Sequence, residues 1–172
     1  MAPLSLQIVT YVVERLSPVL KLQFGGVVGQ IGHLLLQLTA LPQTDDRHSL
    51  VRQRDGVIPI EAAKKYQVRA VGIEYNPDLV KLSQRNAERA KVQNLVTLKQ
   101  GDIFVEDFSQ ATVLTLYLGE NLNTKLMPTI LKMQAGTRVV SNTFRMDGWV
   151  ADQEVRISNG EIAYLWIVPA HV

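Results

Sequence analysis

The chain has 172 residues, 47% of them hydrophobic and 20% charged, with a formal net charge of +2. That length and composition fit one globular domain able to bury a core without covalent staples. The lack of cysteine excludes disulfides and thiolate metal sites, the scattered His33, His48 and His171 make no metal set, and no basic stripe marks a nucleic-acid binder.

Residues 1–46 read as an N-terminal helical segment. Val9, Val12, Val13, Leu16 and Leu20 recur at spacings of three and four, interrupted by Pro18. Leu34, Leu35, Leu38 and Leu41 make a second such face, closed by Pro42. Glu14 and Arg15 break the first apolar stretch, so no secretory signal is expected. The stretch from Leu22 to Leu41 carries Gln23, Gln30, His33, Gln37 and four glycines, which argues against a membrane span and for a cytoplasmic protein. Residues 43–56 are polar and poorly periodic.

From Val57 onward the pattern becomes regular. Ile58 to Tyr66 reads as a helix and Val68 to Ile73 as a buried, β-branched strand. Asn76-Pro77 is a helix start, because Asn accepts a bond from a free backbone N–H and Pro loses nothing at the first helical position. That helix is expected to reach about Lys91, with Leu79, Leu82 and Ala90 facing inward. Leu95–Leu98 and the uncharged Thr112–Leu118 read as strands. A further helix is expected to end near Ala135, stopped by Gly136, before a strand over Thr137–Ser141. Asn159-Gly160 between Val155–Ser158 and Glu161–Val168 is a hairpin signal. Strands alternating with helices predict an α/β fold with a parallel sheet of five strands, and the hairpin adds antiparallel strands at its edge.

Two carboxylates stand at the ends of neighbouring predicted strands. Glu74 closes the first, and Asp102 follows Gly101 just after the second. Ligands of open α/β sheets bind at that edge. A carboxylate there can accept bonds from two ribose hydroxyls, and a second can accept one from an adenine amino group. The backbone N–H of Ile103 is placed to reach a ring nitrogen. The bland alternatives are a solvated strand-end acid and a turn-capping Asp.

The segments GIEYNPDLV, TVLTL followed by YL, and GTRVVSNTF followed by Trp149 resemble the class I S-adenosylmethionine-dependent methyltransferases. Among these they are most similar to the small protein-lysine methyltransferases that include the enzymes acting on the ATP synthase c subunit. The resemblance spans roughly residues 56–170. It implies a Rossmann-like seven-stranded sheet over residues 47–172, S-adenosyl-L-methionine as cofactor and a protein lysine as acceptor. It places Glu74 and Asp102 at the ribose and adenine positions, with Asp55 and Gly56 in the cofactor loop. It also implies that Tyr117 lines the acceptor channel and that Glu120 or Asn121 orients an amine. No nucleic-acid partner and no metal are expected.

The departure lies in that loop. The family carries Asp-x-Gly-x-Gly-x-Gly, whose glycines let the backbone approach the methionine moiety. The matching positions here are Leu50, Arg52, Arg54 and Gly56, so only Asp55-Gly56 survives. Arg-Gln-Arg encoded as CGG-CAG-CGG gives Gly-Ser-Gly when read one base later, which points to a short out-of-frame stretch over residues 47–54. Genuine divergence is the alternative, and it would make the chain an inactive, methyltransferase-like binding module. A nicotinamide-dependent oxidoreductase is disfavoured, because no G-x-G-x-x-G follows a strand.

Overall fold

The computed structural model describes residues 8–13, 56–156 and 161–170. In chain order the elements are β1 (Ile8–Val13), α1 (Val57–Tyr66), β2 (Arg69–Glu74), α2 (Pro77–Arg89) and β3 (Val96–Gln100). Then follow β4 (Val113–Tyr117), α3 (Glu120–Ile130), β5 (Arg138–Asn142), β6 (Gln153–Arg156) and β7 (Ile162–Ile167).

The strands fall into a β3–β2 pair and a β4–β5–β7–β6 group, with β1 hydrogen-bonded between them in the order β3-β2-β1-β4-β5-β7-β6. The parallel pairs are β2–β3 and β4–β5. Strand β7 runs antiparallel to β5 and β6, which supplies the expected C-terminal antiparallel pair. The Asn159-Gly160 tip lies outside the described residues.

Two expectations are corrected here. Residues 8–13 form a strand, not a helix, and β1 runs antiparallel to both β2 and β4, so the described strands do not make five parallel ones. The sequence IVTYVV explains the first error. Each of its residues is β-branched or aromatic and favours strand, and a short apolar run cannot be assigned by periodicity alone. The remainder of the 1–46 segment lies outside the described residues. No described helix is long and apolar enough to cross a membrane.

Helices cover both faces. Helix α3 sets Leu126 and Ile130 against Ile73, Leu114, Leu116, Val139 and Trp166, the main core. On the other face α1 sets Ile58 and Ala62 against Ala70 and Val113, while Ile60 and Ala63 meet Ala87 of α2 and Val96 of β3. Strand residues alternate between the two cores, as a pleated sheet requires.

Helix α2 starts as its sequence dictates. Asn76 is the N-cap, its side chain accepts from the Asp78 N–H at 2.9 Å, and Pro77 opens the first turn. Its fully buried residues are Val80, Ser83 and Ala87; of the expected inward residues Leu79, Leu82 and Ala90, all are half-buried and Ala90 packs against the core. The small residues face inward because the chain at Gly56 packs directly on Ser83. Helix α3 ends at Ile130, earlier than expected. Pro128 deprives its last turn of a donor, and Gly136 instead serves the turn into β5, where its N–H donates to the Val168 carbonyl at 2.8 Å.

Candidate active site

The site grows from the ends of the parallel strands. Glu74 is opposite Gln100 in the β2–β3 ladder, and the next N–H, of Gly101, donates to the Glu74 carbonyl at 3.0 Å. Asp102 therefore leaves the sheet beside Glu74. The Glu74 side chain is 6% exposed, and its Oε1 accepts from the Asn76 N–H at 2.7 Å. The start of α2 thus fixes this carboxylate at the sheet edge. Asp102 Oδ1 accepts from the Phe104 N–H at 3.0 Å, so this residue also shapes its own turn. The Ile103 side chain is buried in the main core, which leaves its backbone as the part a ligand would meet.

Gly56 is the N-cap of α1, at φ +81°. A Cβ here would lie 2.9 Å from the Ser83 Cβ, so both the backbone angle and the contact demand glycine. Helix α1 leads through Gln67 and Val68 straight into β2, and so runs back along it. Its N-terminus consequently points toward the edge where Glu74 lies. Gly56 brings no side chain to cap that terminus, and its first turn holds no acid. Uncapped N–H groups at a helix start attract an anion. Asp55 lies outside the described residues.

Tyr117 ends β4 at the same edge. Ile8 of β1 is opposite both Glu74 and Tyr117, so one strand separates them, about 10 Å at ordinary strand spacing. The Tyr117 ring meets Phe144 edge-on, with centroids 6.2 Å apart. Glu120 and Asn121 are exposed on the first turn of α3, which begins at this end of β4. The structure thus gathers Gly56, Glu74, Asp102 and Tyr117 at one edge, with Glu120 and Asn121 at its rim.

Sequence reasoning missed three polar residues here. Asn123 is fully buried, and its Nδ2 donates to Ser141 Oγ at 2.9 Å and to the Phe144 and Arg145 carbonyls at 3.2 and 3.4 Å. It ties α3 to the chain leaving β5. Asn142 is 1% exposed, and its Nδ2 donates to Glu161 Oε2 at 3.1 Å. Arg145 lies over the Tyr164 ring, 5.1 Å from its centroid, and pairs with Glu154 at 3.3 Å. A hydrogen bond with Tyr164, then the charge of Glu154, holds its pKa above the ordinary arginine value.

Residues 54–153 match the ANTKMT methyltransferase domain family. A protein-lysine N-methyltransferase of Saccharolobus islandicus (strain REY15A) is 35% identical over 122 residues, which are 68% of this chain and 76% of that protein. The chain belongs to this methyltransferase family. It is a class I S-adenosylmethionine-dependent methyltransferase. An RNA methyltransferase from Salinibacter ruber, solved with S-adenosyl-L-homocysteine, is similar at 44% identity and a TM-score of 0.66, over 69% of this chain and 77% of that one. An O-methyltransferase from Bacillus cereus, at 15% identity and a TM-score of 0.51 over 87% of this chain and 97% of that one, shares the fold alone.

Glu74 and Asp102 stand together at this edge, two carboxylates with the acceptor chemistry that the hydroxyls and amino group of an adenosine would need. Among the described residues no side chain caps the start of α1, whose free N–H groups would suit a carboxylate. The family match begins at Arg54, and so leaves out Leu50 and Arg52, which the resemblance sets at the loop's Asp and at its first Gly.

Proposed function

We propose that this methyltransferase N-methylates a protein lysine, working from the seven-stranded sheet of its class, with β1 in the central position. The observation that carries the reading is the 35% identity to a protein-lysine N-methyltransferase, which spans most of the domain. In this reading Glu74 accepts from the ribose hydroxyls, Asp102 from the adenine amino group, and the Ile103 N–H donates to the ring. Asp55-Gly56 and the first turn of α1 take the methionine end. Tyr117 lines the acceptor path, and Glu120 and Asn121 orient the incoming amine. The catalytic domain is residues 47–172 together with β1, since Ile8–Val13 lies between β2 and β4, and the expected boundary at residue 47 is moved accordingly.

When bound, the cofactor supplies a methyl group on a sulfonium: the amine lone pair forms the N–C bond as the C–S bond breaks, S-adenosylhomocysteine leaves and the displaced N–H proton passes to solvent. The protein's part is alignment, exclusion of water and delivery of a neutral amine. Free lysine has a pKa of about 10.4, so the rate should rise with pH through the neutral range.

The test is transfer of a labelled methyl group to lysine-bearing proteins and, in parallel, to RNA. The RNA arm matters because the 44% identical relative is an RNA methyltransferase. Label on RNA alone overturns the lysine reading. Label on neither, with cofactor binding also absent, favours the inactive binding module.

A further inference from the structure

The geometry points to Asn142 as a second contact for the acceptor amine, one that deepens the amine-acceptor reading above and rests on it. Leu116 is opposite Ser141 in the β4–β5 pair, so Tyr117 and Asn142 follow side by side at the ligand edge. Ser141 faces α3, where it accepts from Asn123, so alternation turns Asn142 to the opposite face, the face of α1. Gly72 and Glu74 lie two and four positions beyond Ala70, which packs on α1, so Glu74 shares that face. Asn142 therefore stands on the cofactor's side of the sheet.

Its amide is oriented and incomplete. Nδ2 donates to Glu161, which fixes which end of the amide is oxygen. Oδ1 is buried and accepts no hydrogen bond among the described residues. A buried carbonyl without a donor is costly and calls for a partner. The bond from Nδ2 to a carboxylate also polarises the amide and strengthens Oδ1 as an acceptor.

The backbone around it is strained in a way that fits a built site. Thr143 adopts φ +69°, although it is β-branched, and the Phe144 N–H folds back to the Asn142 carbonyl at 2.8 Å. Such tight three-residue turns are rare, and strain of this kind collects at ligand clamps. The turn brings Phe144 to the Tyr117 ring. Both rings are half-buried, so they offer an apolar wall to an alkyl stem whose terminal N–H groups reach Asn142. The ligand class is a primary alkylamine. Oδ1 accepts one N–H and leaves the nitrogen lone pair to point elsewhere.

The probe is n-butylamine, a lysine side chain without its backbone, titrated into the 15N-labelled full chain. It needs no cofactor. The Asn142 side-chain amide pair, identified by its loss in Asn142→Asp, should shift saturably, and n-butanol should shift it far less. Asn142→Ala should weaken butylamine binding at least tenfold, read at the Phe144 amide, with S-adenosylhomocysteine affinity unchanged. An Asn142 pair that stays put while butylamine binds elsewhere, or an absence of butylamine binding, overturns the inference. So does wild-type affinity in Asn142→Ala. Should that variant fail to fold, the wild-type titration decides alone. Methylation of lysine proteins with no Asn142 shift defeats this inference but not the proposed function, and an Asn142 shift with label only on RNA does the reverse.

Discussion

The Gly101 N–H donates to the Glu74 carbonyl at 3.0 Å, one step past the last residue of β3. This bond extends the parallel ladder beyond the strand end. It brings the Gly101-Asp102 turn alongside Glu74, so two carboxylates separated by 28 positions in sequence leave the sheet at one edge. Their adjacency comes from the backbone, and a side-chain substitution at either position leaves the edge itself in place.

The first prediction follows from that. A hydrogen bond made to a charged group is worth about 1.5–3 kcal/mol. Glu74→Ala should therefore weaken S-adenosylhomocysteine binding roughly ten- to a hundredfold by isothermal titration. Asp102 has a second duty, because its Oδ1 also takes the Phe104 N–H. Asp102→Asn keeps that acceptor and should lose affinity with little loss of stability, whereas Asp102→Ala should lose both. Unchanged affinity in Glu74→Ala would remove it from the site.

Gly56→Ala tests the entry to α1. The residue sits at φ +81°, where an L side chain costs roughly 1–2 kcal/mol. The added Cβ would also press on Ser83 at 2.9 Å. Urea unfolding should show a loss above the backbone term alone. Gly56→Ala combined with Ser83→Gly should recover the steric part once the helix cost of Ser83→Gly, about 1 kcal/mol, is subtracted. A neutral Gly56→Ala would mean that the turn relaxes freely.

Asn123 is a structural anchor, and its chemistry predicts an order of effects. Asn123→Ala leaves the Phe144 and Arg145 carbonyls without this donor, a loss of about 1–3 kcal/mol. For a chain of this size that lowers the melting temperature by roughly 2–10 °C. Asn123→Asp should be worse, because it sets a carboxylate against those carbonyl oxygens. Calorimetry that finds Asp better tolerated than Ala would refute the donor role.

The sequence made visible what depends on local chemistry. The Asn76-Pro77 start, the uncharged β4 and the C-terminal antiparallel pair each follow from nearby residues. So does the placement of Glu74 at the end of β2 and of Asp102 just past β3. What failed was one misleading periodicity and one helix face set by tertiary packing. IVTYVV read as helix because Val9, Val12 and Val13 happen to fall at helical spacing. The inward face of α2 was misjudged because size decided it: Ser83 must be small to meet Gly56, and the leucines beside it sit half-buried. Asn123 did carry a signal, since Asn123, Leu126 and Ile130 share one stripe at i, i+3 and i+7. A polar residue within an apolar stripe marks a buried hydrogen-bonded group. Asn142 carried none, because its meaning depends on Tyr117 across the sheet and on the turn at Thr143.

The last prediction concerns the loop ahead of Gly56. In the proposed site Glu74 and Asp102 serve the adenosine and the Gly56 turn the methionine carboxylate. Arg52 and Arg54 stand where the family has glycines, and at such positions a side chain collides with the ligand or strains the turn. The chain as written should therefore bind S-adenosylmethionine weakly, while adenosine alone should bind comparably to the cofactor, since it engages only the intact end. Changing Arg52 and Arg54 together to Gly should raise the affinity for S-adenosylmethionine without altering that for adenosine. Two titrations on each protein measure this. Tight binding of S-adenosylmethionine by the unaltered chain would defeat the idea, and would mean that the methionine end is held by a path that avoids both arginines.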